Sequence, residues 1–188
     1  MLQKYLERIL GIFEWNLPPD LNSLDAKLDF ILPFVQKDSE DLAEEEFYLK
    51  KRWIEVRDDD RHLETVLHIF MPAKEYLVVI DGDVTKGSWW ILPESNALVT
   101  DYGGKSQLYD LQFMNDDFFI LSKNGDQTRK GKPRYTVYAS EELVVNRELD
   151  WHNCMEELFN IHRQQLLFSA RVIIVLILAV AGAVYYFA

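Results

Sequence analysis

The chain has 188 residues with 20 basic and 31 acidic side chains, a net charge of −11. Such a surface repels nucleic-acid phosphates and anionic lipid headgroups, which excludes both as expected ligands. Its one cysteine, Cys154, excludes an internal disulfide and suits a reducing compartment.

Residues 2 to 15 set Leu2, Leu6, Ile9, Leu10 and Phe13 at helical spacing, with Lys4, Glu7, Arg8 and Glu14 elsewhere on the wheel. Pro18 and Pro19 end that helix. A second helix is predicted behind Asn22 or Ser23 as its cap. Leu24, Leu28, Ile31, Leu32 and Val35 form its apolar stripe, and Pro33 disturbs it. Both helices are expected to pack on the domain, because helices that lie on a membrane carry basic polar faces. Residues 38 to 46, DSEDLAEEE, read as a solvated helix or linker whose six carboxylates lack a metal-ligand spacing. Residues 1 to 46 thus form a helical and acidic N-terminal region, with four basic against eleven acidic side chains and a net charge of −7.

From 47 to 140 the texture changes to short β-type runs. Strands are predicted at Phe47–Val56, Leu63–Met71, Glu75–Ile80, Gly87–Leu92, Ala97–Tyr102, Gln107–Met114, Phe118–Lys123 and Arg134–Ala139. Their short connections carry Asp-Gly, Gly-Gly and Asn-Gly, the chemistry of antiparallel hairpins. Tyr109, Leu111 and Phe113 alternate with Asp110 and Gln112, which gives that strand one core face and one wet face. About eight such strands suit a meander that curls or closes into a barrel. Phe70-Met71 with residues 75 to 87 resembles Phe113-Met114 with residues 117 to 131 at an offset of 43. The match reads either as a duplicated hairpin or as shared turn chemistry.

Residues 141 to 170 are expected to form a stem helix. No proline follows Pro133 and no glycine lies between Gly131 and Gly182, so a helix starting near Glu148 can run unbroken. Residues 171 to 188 form the expected anchor. From Val172 to Ala188 there is no charge, and ten strong apolar side chains favour insertion by about 3 to 6 kcal/mol. Arg163 and Arg171 flank the run on one side only, which predicts a single-pass, tail-anchored chain with its main domain in the cytoplasm. Ala179, Gly182 and Ala183 offer a small surface for helix pairing and so for a homo-oligomer. The predicted fold is mainly β with flanking helices. It comprises an antiparallel meander or small eight-stranded barrel, N-terminal helices, and a long C-terminal helix continuing into a transmembrane anchor.

Catalytic and metal chemistry find little purchase in this sequence. His62, His68, His152 and His162 are scattered, and Cys154 and His162 stand over two helical turns apart, too far to close a metal site. Asp81-Gly82-Asp83 and Asn124-Gly125-Asp126 do not continue into a calcium loop and read as turns. No Walker-type phosphate loop or Gly-x-Ser-x-Gly elbow occurs. No enzyme activity, metal or cofactor is expected.

Gly87-Ser-Trp89, then Ala97-Leu98, the Tyr109/Leu111/Phe113 strand, Phe119-Ile120-Leu121 and Tyr135 together resemble the compact lipocalin-like domains of bacteria. The resemblance covers about residues 87 to 138, and several predicted strands precede its Gly-x-Trp element. It implies a bacterial inner-membrane setting, with a eukaryotic tail anchor as the alternative, and a barrel able to take a small apolar ligand or lipid. Trp53, Trp89, Trp90, Tyr109, Phe119 and Tyr135 are the candidate ligand-binding residues, with barrel core as the competing reading. The primary functional expectation is a non-catalytic, membrane-tethered module that docks a protein partner. Ligand binding in the β domain is the alternative.

Overall fold

Eight antiparallel strands pair in chain order and close on themselves in a computed structural model that describes residues 17–59, 64–124, 133–161 and 163–164. They are β1 Arg52–Val56, β2 Val66–Met71, β3 Glu75–Ile80, β4 Asp83–Leu92, β5 Ala97–Tyr102, β6 Lys105–Met114, β7 Phe118–Lys123 and β8 Tyr135–Ser140. Closure comes from β1 against β8, where Glu55 faces Tyr138 and Trp53 faces Ser140. Both residues of the Asp81-Gly82 turn and of the Gly103-Gly104 turn have positive φ, as two-residue hairpins of primed type require.

Alternation along the strands sorts the side chains into two cores. One fills the barrel lumen with Trp53, Phe70, Tyr76, Trp89, Leu98, Tyr109, Phe119 and Tyr138. The other lies outside the wall, where Phe113, Phe118, Ile120, Val137 and Ala139 meet the helices. A bulge between Leu111 and Phe113 turns the end of β6 from one core to the other. Because helices cover β7 and β8 from outside, five of six β7 residues and all six β8 residues are buried. That explains their near-continuous apolar character.

Helix α1 spans Leu24–Val35 and packs its Leu28, Ile31 and Val35 into the outer core. Ser23 caps it by accepting from the Ala26 N–H at 3.2 Å. Ser23→Ala should cost about 1 kcal/mol in denaturant unfolding, the usual worth of such a cap; an unchanged midpoint would show that the cap adds nothing here. Helix α2 spans Glu141–Arg147, and α3 covers residues 151–161, with Met155, Leu158 and Phe159 in the same outer core.

The predicted fold class needs correction at its C-terminal end. Glu148 adopts φ 51 as the cap that closes α2, and residues 149–150 are not helical, so no single stem helix starts there. Among the described residues no helix is long and apolar enough to cross a membrane. The described fold is a mainly β, closed eight-stranded barrel with short helices, and among the described residues no long helix leads toward an anchor. The predicted helix at residues 2–15 and the run 171–188 lie outside the described residues.

The first predicted strand also begins too early. Residues 48–51 form a turn in which Lys50 takes φ 60 and donates its N–H to the Phe70 carbonyl at 2.8 Å. The acidic segment before it is not simply solvated. Leu42 is fully buried, its N–H donates to Asn96 Oδ1 at 3.1 Å, and Glu40 N–H reaches the Met114 carbonyl at 2.9 Å. Residues 39–51 thereby cover one end of the barrel.

Candidate functional site

The lumen divides into two halves of different chemistry. At the covered end, the Tyr48 side chain drops into the barrel and is fully buried. Its hydroxyl donates to the Leu42 carbonyl at 3.1 Å, and its own carbonyl accepts from Trp53 Nε1 at 3.2 Å. The Tyr48 ring lies 5.6 Å from Trp89, 5.7 Å from Phe119 and 6.0 Å from Phe70. Phe119 in turn contacts Trp53 at 5.8 Å and Phe70 at 5.7 Å. Trp89 Nε1 donates to the Met71 carbonyl at 2.9 Å. This half is packed side chain against side chain, with its polar atoms satisfied.

The opposite half is polar. Glu55 follows Trp53 on the same face of β1, and His68 follows Val66 on β2. His68 Nε2 lies 3.2 Å from Glu55 Oε2, and His68 Nδ1 lies 2.5 Å from the Tyr76 hydroxyl. A carboxylate only accepts, so Nε2 carries a proton toward Glu55, while Nδ1 pairs with the Tyr76 hydroxyl. The Tyr76 oxygen accepts in turn from Tyr138. Arg57 Nη2 donates to the same Glu55 oxygen, Oε2, at 2.6 Å. Tyr109 shares hydrogen bonds with Thr136 and Thr100, so hydroxyl groups line the wall beside this chain.

Tyr102 completes the polar half, and Gly87 makes room for it. Gly87 sits opposite Tyr76 in the β3–β4 ladder, and a Cβ built on it would lie 2.7 Å from Tyr102 Cβ. With that space open, the Tyr102 ring stands edge-on to Tyr76 at 5.6 Å. Water reaches its rim, where the Glu55 side chain is 21% and that of Arg57 37% exposed. His68, by contrast, is 2% exposed.

Ionisation follows from these contacts. Burial opposes the charge on Glu55, but hydrogen bonds from His68 and Arg57 outweigh it and hold the carboxyl down at about 2. Burial pushes the Tyr109 phenol up to about 12. It also raises Tyr138, Tyr76 and Tyr102, so these hydroxyls stay neutral donors while Glu55 stays anionic. A carboxyl held low in the folded chain stabilises it above the unfolded pKa, roughly 4.3. That stability is lost as pH falls toward about 2. Glu55→Gln should therefore lose about 2 to 3 kcal/mol of stability at neutral pH. The deficit should shrink steadily in acid unfolding curves; one that persists undiminished at low pH would contradict the assignment.

The hydrogen-bonded chain does not end at an open position. Tyr76 and Tyr138 are 1% and 2% exposed, so their hydroxyls are fully engaged inside the wall. The arrangement holds the Glu55 carboxylate in place through His68 while its side chain stays 21% exposed.

Of the six residues expected to bind a ligand, four face the lumen. Trp53, Trp89 and Phe119 belong to the packed half, and Tyr109 alone belongs to the polar half. Tyr135 lies outside the wall, donating to Asp29 Oδ1 at 2.9 Å and accepting from Arg134 Nη2 at 2.8 Å. Trp90, next to buried Trp89, is half-buried on the other face of β4, opposite Val99. Glu55, Arg57, His68, Tyr76, Tyr102 and Tyr138 escaped the sequence reading. The signal for them was polar side chains at lumen parity: Trp53, Glu55 and Arg57 alternate, as do Val66, His68 and Phe70.

Elsewhere, a groove of about 510 Å³ outside the covered end is lined by Lys51, Arg52, Asp116 and Glu141 among others. Lys51 pairs with Asp116 at 2.8 Å and Arg52 with Glu141 at 2.9 Å, so its charges answer one another. Cys154 is buried, and burial lifts its thiol to about 12. Among the described residues no group of three or more His, Cys, Asp and Glu side chains could hold a metal. His62 and His162 lie outside the described residues. No protein-family model matches the chain, and neither a curated protein nor a solved structure matches it.

Proposed function

We propose that the barrel is a small-molecule-binding domain whose site is the polar, tyrosine-lined end of the lumen, and that it binds without turning its ligand over. The observation that carries this reading is the division of the lumen. One half is plugged by Tyr48 and packed with rings, while the other sets a locked carboxylate, a guanidinium and several hydroxyls around a solvent-facing rim. A few fixed polar groups against aromatic walls is the usual composition of a ligand site. The filled half argues against a long acyl chain threading the barrel, so the ligand is compact and partly polar rather than a lipid. This reverses the order of the two functions expected from sequence, where protein docking came first.

Native mass spectrometry of the full chain, purified from its source under gentle conditions, tests the reading. A small retained mass that is lost from Tyr102→Ala supports it. A retained mass indifferent to that change, or a bound protein and no small molecule, would overturn it.

A further inference from the structure

We infer that the ligand taken at this end is an organic cation of guanidinium, amidinium or amine type, and that the guanidinium of Arg57 occupies its place in the free protein. The inference rests on the ligand-binding reading and adds the charge of the ligand to it. Glu55 is the anion at the centre of the polar half, and His68, itself held by the Tyr76–Tyr138 pair, bonds its Oε2. The same oxygen accepts from Arg57 Nη2 at 2.6 Å. Tyr102 and Tyr138 lie near enough to both Glu55 and Arg57 to feel the charge of each. A carboxylate flanked by phenol rings is the chemistry that recognises organic cations, because the ring faces carry negative potential.

The two partners of this ion pair are held very differently. Glu55 lies within β1 and is bonded to a buried imidazole, whereas Arg57 stands just past the last strand residue, Val56. Its side chain is 37% exposed, so it can turn into water while Glu55 stays in place. An exposed pair of this kind is worth at most about fivefold in an equilibrium, a barrier that a bound cation readily offsets. An anion at the same place would meet Glu55 head-on and would first have to approach a chain of net charge −11.

Benzamidinium, benzamide and benzoate share one ring and differ in charge, so calorimetric titration of the full chain with the three decides the matter. Wild type should bind benzamidinium most tightly. Arg57→Ala should tighten benzamidinium by about threefold, because the internal competitor is gone. Glu55→Gln, with its fold checked by circular dichroism, should weaken it by about tenfold or more. Arg57→Ala changes only a rim side chain and keeps the test valid if Glu55→Gln unfolds. If benzoate or benzamide binds best, or Arg57→Ala weakens benzamidinium, the cation assignment falls while a ligand site remains. If none of the three binds either wild type or Arg57→Ala, the cation assignment also falls, and the ligand site stands or falls by the mass measurement alone.

Discussion

Phe119→Ala is expected to destabilise the protein by about 3 to 5 kcal/mol in urea unfolding, with the loss appearing as a lower midpoint at similar slope. Phe119 sits on β7 at the centre of the packed half, fully buried, with rings from three other strands and from the plug around it. Its centroid lies 5.7 Å from Tyr48, 5.8 Å from Trp53, 5.7 Å from Phe70 and 5.9 Å from Tyr138. Large rings held by hydrogen bonds and by a closed wall cannot collapse onto an alanine, so most of the cavity stays open. Tyr48 is the partner most exposed to the change, because it reaches the lumen from a turn and not from a strand. Trp90→Ala provides the contrast. Trp90 is half-buried on the outer wall, leaves no enclosed void when truncated, and should cost well under half as much. Equal losses from the two would mean that the lumen is not the tight core described above.

Gly87→Ala is the second large effect. The added Cβ would lie 2.2 Å from the Asp101 carbonyl oxygen and 2.7 Å from Tyr102 Cβ. Neither neighbour is the loose end of a flexible side chain, so β4 and β5 must separate or Tyr102 must leave its place beside Tyr76. We expect a loss of about 3 kcal/mol, the upper end of what overpacking costs. Gly104→Ala gives the informative comparison. Gly104 has φ +74 but nothing within 4 Å of a built Cβ, so only backbone strain of about 1 to 2 kcal/mol applies there. Denaturant curves of both variants separate crowding from strain. If Gly87→Ala costs no more than Gly104→Ala, close packing of Tyr102 across Gly87 is not what shapes the polar half.

Much of the sheet was legible from residues alone. Glu75–Ile80, Ala97–Tyr102 and Phe118–Lys123 are bounded by turn residues that leave little choice of ends, and observed β3, β5 and β7 coincide with them. Elsewhere, strand ends moved where hairpin strands lengthened toward their turns, as in β4 and β6. The offset of 43 residues superposes β3 on β7 with Tyr76 and Phe119 both in the lumen. It fails at the Phe-Met pair, because Phe70 points inward while the β6 bulge turns Phe113 outward. The plug was read as strand because Phe47, Leu49 and Lys51 continue the alternation of β1, and nothing local announces that Lys50 takes a positive φ. The break at Glu148 was hidden for the same reason, since a glutamate occupies the left-handed conformation where glycine would have been a signal. The polar half was the least legible. Glu55, His68, Tyr76 and Tyr138 are far apart in the chain, and only barrel closure and register bring them together. Parity tells which face a residue takes; it does not tell which charges converge there.

The proposed binding of ligand in the polar half of the lumen leaves the plugged half untouched. Ring-labelled tyrosine NMR of the full chain, titrated with benzamidinium, benzamide and benzoate, tests it most directly. Nine tyrosines are distributed along the chain, and each part of the barrel has its own reporters. The expected result is movement of Tyr102, Tyr109, Tyr76 and Tyr138 with whichever probe binds, while Tyr48 in the plug and Tyr135 on the outer wall keep their positions. Movement of Tyr48 or Tyr135 with a silent Tyr102 and Tyr109 would contradict the account.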